Sequence, residues 1–157
     1  MIVLLSNGAE KHASHSEVLS ATGAAAVIEP GADIDVAELL SSVDVVAVPV
    51  LTRATANKVA AAITDTLAAE AVLEALLVGL PVVMATDACQ PRSRVTNKAA
   101  KPPAPALVRA LEERLNVIKA FGAELVEGAQ LAATVLRLLE PRAASPLETR
   151  AERRVIT

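Results

Sequence analysis

The sequence predicts an α/β fold in three layers, with a parallel sheet carrying helices on both faces. Three observations predict it. Short Val-, Ile- and Leu-rich runs of strand length recur along the chain. Ala-rich or helically spaced stretches separate them. The clearest run, "VDVVAVPV" at residues 43–50, is almost wholly apolar, as a parallel strand buried on both faces is. Strands that alternate with helices in this way form right-handed βαβ units.

Residues 1–6 read as a buried strand that ends at the turn signal Asn7-Gly8. Residues 9–22 carry a weak helical pattern with Gly23 as its stop. "AAAVIEPG", residues 24–31, is a short strand. Asp35 to Leu40 is a short helix that Asp33 or Asp35 can cap. Residues 43–50 form a central strand. Residues 53–78 are a long Ala-rich helical region with a break near Thr64-Asp65. "LPVVMAT", residues 80–86, is the next central strand, and the polar, Pro-rich residues 89–105 form a loop. Pro103 to Phe121 is an amphipathic helix with Leu107, Leu111, Leu115 and Ile118 on one face. "FGAELVEG" gives a helix stop and a short strand, and Ala129 to Leu139 is the last helix. Residues 1–140 thus read as one domain and 141–157 as a flexible tail. No internal repeat is evident.

Composition narrows the function. The chain of 157 residues is the size of one domain, and its 53% apolar content is mostly Ala, Val and Leu. Phe121 is the only aromatic among Phe, Trp and Tyr. Single-stranded nucleic acid is bound on aromatic platforms in basic grooves, and a chain of net charge −3 with one aromatic offers neither. Cys89 is the only cysteine, so no disulfide or zinc cluster forms within the chain. No apolar run is long enough for a membrane helix, and the first residues lack the basic start of a signal peptide. The expectation is a soluble, cytoplasmic protein that binds neither nucleic acid nor membrane.

In a parallel α/β sheet, ligands bind beyond the carboxyl ends of the strands. Those ends are Ser6-Asn7-Gly8, Pro49 to Arg53, and Ala85-Thr86-Asp87. They supply the hydroxyls of Ser6, Thr52 and Thr86, with helix N-termini behind them. Hydroxyls and free backbone N–H groups at a helix start make an anion site. Arg53 adds a charged fork suited to phosphate or carboxylate. Each hydroxyl alone reads as a helix cap; three at neighbouring strand ends point to a site for a phosphate-bearing ligand. No G-x-G-x-x-G and no Walker A loop is present. His12 and His15 are spaced to share a helix face, but no third metal ligand is evident. Cys89 reads as a small buried thiol, with a reactive thiol as the alternative.

"PVLTRATANKVAAAITDTL", residues 49–67, resembles the signature of the flavoprotein family of the homo-oligomeric flavin-containing cysteine decarboxylases. That signature reads roughly P-A-[TS]-A-N-T, then Lys, then G-I-A-D-N-L. "LPVVMATDA", residues 80–88, is similar to the family's P-V-V-x-x-P-A-M segment. "VVAVP" at 45–49 and "LLSNGAEK" at 4–11 fit as well. The strand end fixes Pro49 as the start of the motif, which places Thr52 in the phosphate-facing role and Asn57 on the helix. The P-x-L-T-R version looks most like the flavoproteins associated with bacterial microcompartments.

The resemblance implies a flavodoxin/Rossmann-like domain that binds flavin mononucleotide (FMN) at a subunit interface, as a trimer or a multiple of three. It places Ser6, Asn7, Thr52 and Arg53 on the phosphate or ribityl chain. It places Ala85, Thr86, Asp87 and Ala88 near the ring system. Electron transfer or flavin reduction follows as the expected activity, with a bacterial microcompartment as an alternative location. The departures are specific. The family's active His is missing from "GADIDVAELLSSVDVVAVP", and Asp87-Ala88 replaces its Met-Asn. The chain is also expected to lack the family's first βα unit, which holds the flavin phosphate. Two further readings stay open. One is a flavin-dependent decarboxylase or a flavin prenyltransferase, with Arg92, Arg94 and Lys98 as a basic loop. The other is a non-catalytic oligomeric assembly domain.

Overall fold

A computed structural model describes residues 1–6, 14–90 and 102–140. Strands and helices alternate in the described chain. The strands are β1 (Ile2–Leu4), β2 (Ala26–Ile28), β3 (Val46–Val48), β4 (Val82–Ala85) and β5 (Glu124–Val126). The helices are α1 (His15–Thr22), α2 (Val36–Ser41), α3 (Arg53–Ala60), α4 (Leu67–Leu77), α5 (Pro105–Ala120) and α6 (Gly128–Leu139). A single 3-10 turn, Asp87–Cys89, follows β4.

All strand pairs are parallel, but the strands form two small sheets where the sequence predicts one. One sheet has the order β1-β2 and the other β3-β4-β5. Each ladder is three residue pairs long; Val48 faces Met84, and Ala85 faces Val126. Strand β1 meets the larger core through the packing of Leu4, not through ladder bonds. Leu5 extends the smaller sheet by one bond, its N–H donating to Ile28 O at 2.8 Å.

Strand β4 is the centre of the larger sheet, and all four of its residues are buried. Successive strand residues face opposite sides. Val82 and Met84 belong to the main core with Val59, Val72 and Ile118, whereas Val83 and Ala85 are buried outside that cluster. Helices α4 and α6 both pack on β4. This explains why its sequence is apolar at every position. Small side chains let helices approach closely, as at Ala56, Ala69, Ala71 and Ala75, each no more than 4% exposed.

Helix ends follow local sequence rules. Ser14 and Glu17 form a capping box on α1, and Gly23 closes that helix with φ of 59°. Two bonds from Ser14, backbone N–H first and hydroxyl second, hold the Glu17 carboxyl below its ordinary range. Asp35 caps α2 by accepting from Glu38 N. The predicted break in residues 53–78 lies between α3 and α4. There Ile63 N–H bonds to Lys58 O and Ala62 N–H to Val59 O, the paired bonds of a Schellman stop. Ala62 takes the left-handed position with φ of 54°, and Lys58 pairs with Asp65 at 2.8 Å across the turn.

The inward stripe of α5 differs by one residue from the predicted one. Leu111, Leu115 and Ile118 face inward, but Leu107 is 56% exposed and Val108 takes its place. A spacing of three from Val108 to Leu111 keeps the stripe on a straight helix face as well as a spacing of four does. No described helix is long and apolar enough to cross a membrane.

Candidate functional site

The carboxyl ends of β3, β4 and β5 meet at one rim. Leu51 N–H donates to Ala85 O at 3.1 Å, and Thr86 N–H donates to Val126 O at 3.0 Å. The rim therefore brings together the start of α3, the 3-10 turn and the start of α6. Thr52 and Arg53 sit on the first of these, Thr86 to Ala88 along the second.

Thr52 is the N-cap of α3. Its hydroxyl accepts from Thr55 N–H at 3.2 Å and lies 3.0 Å from the Thr55 hydroxyl. If the Thr55 hydroxyl donates to Thr52, both lone pairs of the Thr52 oxygen are taken and its own O–H is directed elsewhere. Thr52 is then a donor at a helix start, where the backbone field favours an anion. The sequence reading did not include Thr55. The T-x-x-T spacing that places it one helical turn from the cap was the available signal.

Arg53 occupies the first helical position. Its Nη2 donates to Gln90 O at 3.4 Å. Its Nε is buried and has no hydrogen-bond partner among the described residues. A buried guanidinium N–H without an acceptor is costly, and a carboxylate or phosphate oxygen is the acceptor that such a fork matches.

The other predicted contacts are built differently. Ala85 is 2% exposed, its side chain inside the fold. The Thr86 hydroxyl donates to Val126 O at 3.2 Å. The Asp87 carboxylate accepts from Gly128 N–H at 2.6 Å and so caps α6, whose own N-cap, Glu127, makes no side-chain cap bond. A Cβ at Gly128 would lie 3.1 Å from the same carboxylate oxygen, so glycine leaves room for the cap. Ala88 is half-buried. Ser6 follows β1 in the smaller sheet and is also half-buried. Asn7, His12, Arg92, Arg94 and Lys98 lie outside the described residues.

Cys89 is 3% exposed, and its Sγ lies 2.8 Å from Leu51 O. Burial pushes its thiol up to about 11, and the charge of Arg53 pulls weakly the other way. This thiol stays protonated near neutral pH, which favours the structural of the two readings of Cys89 over the nucleophilic one. Among the described residues, no group of three His, Cys, Asp or Glu is placed to hold a metal. His15 pairs with Glu29 at 3.2 Å.

Two open grooves adjoin the strand ends. One, of about 670 Å³, runs from Gln90 along Pro103, Pro105 and Val108 to Arg109. The other, of about 480 Å³, lies between Leu5, Ser14, His15 and Glu29.

No family model matches the chain, and neither a curated protein nor a solved structure matches it.

Proposed function

We propose that the chain is an FMN-binding flavoprotein domain of the cysteine-decarboxylase family type, serving electron transfer or flavin reduction as a homo-oligomer. The observation that carries this reading is the buried Nε of Arg53, unpartnered among the described residues, beside the Thr52 cap. Together they form a donor set for a phosphate at the carboxyl edge of a parallel sheet. In the proposed three-layer fold, β1 lies beside β3 and the strand order is 2-1-3-4-5. Such a sheet takes its ligand at the β1/β3 switch point, which Ser6 and Thr52-Arg53 would flank. The motif in residues 49–67 and the strand at 80–88 support the same family. FMN would supply the redox chemistry; the chain would bind the phosphate, orient the ring and tune it.

The test is an absorption titration of the purified chain with FMN, with mass spectrometry of any cofactor released on denaturation. A shifted flavin band that Arg53→Met abolishes is the expected result. Absence of binding at high micromolar FMN overturns the reading. A second reading, a non-catalytic assembly domain, is favoured by exposed apolar side chains such as Leu77, at 77%, and Leu136, at 64%. A colourless, stable oligomer would support it.

A further inference from the structure

Beyond the contacts to the ligand itself, the 3-10 turn Asp87–Cys89 is tied down at both ends. At its start the Asp87 carboxylate is held by Gly128 N–H at 2.6 Å. At its end the Cys89 thiol is 2.8 Å from Leu51 O. Cys89 N–H closes the turn on Thr86 O at 2.9 Å. The next residue, Gln90, presents its carbonyl to Arg53 Nη2 at 3.4 Å.

One of these bonds, that of the Cys89 thiol, reaches the residue before the Thr52 cap. Leu51 is fully buried, its N–H goes to Ala85 O, and its carbonyl faces the Cys89 thiol. Both polar groups of the residue that precedes the Thr52 cap are thus held by β4 and its turn. The same turn meets the far end of the Arg53 side chain through Gln90. One short segment, whose anchor lies on α6, thus holds the backbone two residues before Arg53 and meets its guanidinium.

We infer that the turn Asp87–Cys89 is a strut that sets the Arg53 guanidinium, with Asp87 and Cys89 as positioning residues. Asp87, which the motif places against a flavin ring, acts instead through Gly128 and the turn. Two backbone-directed bonds at opposite ends hold a short turn in one register. Loss of either lets the turn shift, and Arg53 with it. As a role in binding, the strut rests on the anion reading of Arg53; as a mechanical coupling, it does not.

The experiment measures solvent exchange of the Arg53 Nε–H by NMR on the full chain. The Arg53 Nε is buried, and exchange of a buried N–H is slow because it needs local opening. Asp87→Ala and Cys89→Ala are each expected to speed it about tenfold. Asp87→Asn and Cys89→Ser, which keep an acceptor and a donor, are expected to restore the slow rate. Val27→Ala, in the smaller sheet, controls for general loosening. Unchanged exchange in both alanine variants overturns the inference. So does an equal rise in Val27→Ala, or no rescue by Asn and Ser. FMN titration of the same proteins separates the two readings. If wild type takes no flavin, the cofactor reading fails while the exchange data still decide the strut.

Discussion

The Cys89 thiol and the Leu51 carbonyl face each other across 2.8 Å inside the fold, joining the turn after β4 to the residue before the α3 cap. A thiolate at that place would be stripped of its hydration by burial, and the charge of Arg53 offsets only part of that cost. This is the physical sense of a thiol pushed up to about 11.

The sign of the resulting pH dependence follows from proton counting. Between the ordinary thiol value of 9.0 and about 11, the unfolded chain releases the Cys89 proton and the folded chain keeps it. The folded state then binds more protons, so stability falls as pH rises through that window and is unaffected by this group below it. Chemical denaturation at pH 8 and pH 10.5 is expected to show a larger loss in wild type than in Cys89→Ala. Equal losses would remove Cys89 as the cause. Alkylation of the folded protein at pH 7.5 is expected to be far slower than that of the unfolded chain.

Ala62 is the one described non-glycine residue with positive φ, at 54°. The same position after α4 and α5 is filled by Gly79 and Gly122, at φ of 75° and 104°. An L-residue in this region is disfavoured by about 1–2 kcal/mol. Glycine gives back about 0.5–1 kcal/mol through the greater freedom of the unfolded chain. Ala62→Gly is therefore expected to stabilise the fold by about 0.5–1 kcal/mol. A thermal melt checks it, and an unchanged or lower midpoint counts against the strain.

Asp87 and Gly128 are expected to be coupled energetically. Loss of the cap in Asp87→Ala should cost about 1 kcal/mol. Gly128→Ala alone brings a Cβ within 3.1 Å of the Asp87 carboxylate, which offsets any gain in helix propensity. In the Asp87→Ala background the crowding is gone and the same substitution should stabilise. A double-mutant cycle by denaturation is expected to return a coupling of at least about 0.5 kcal/mol. Additive effects would mean that the carboxylate is free to step aside.

Local rules carried much of this structure. Asp35 announces α2 as a cap before an apolar run, and the apolar stretches at 43–50 and 80–86 contain β3 and β4. The gap between α3 and α4 is legible through Thr64-Asp65, although Ala62 makes the turn and no glycine marks it. Thr52 and Arg53 were readable because a strand end and a helix start are both local signals. The bond from Asp87 to Gly128 spans 41 positions, and that from Cys89 to Leu51 spans 38. Such pairs depend on which strands lie side by side, which periodicity does not encode. The division into two sheets depends on the same tertiary placement.

Thr52 has two tasks that one substitution series can separate. Its oxygen accepts Thr55 N–H as a cap, and on the proposed reading its O–H donates to the ligand phosphate. Thr52→Ser keeps both tasks and should leave stability and FMN affinity near wild type. Thr52→Val removes both. Loss of the cap should cost about 1 kcal/mol of stability. Loss of a hydrogen bond to a charged oxygen should weaken FMN binding by about 1.5–3 kcal/mol, roughly 10- to 150-fold. Thr55→Val is the informative partner, because it leaves the backbone cap intact and removes only the hydroxyl that orients Thr52. It should lower FMN affinity by less than Thr52→Val, and riboflavin, which lacks the phosphate, should bind both variants as it binds wild type. If Thr52→Val loses stability but not FMN affinity, Thr52 is a cap alone, and the phosphate must be sought at Arg53.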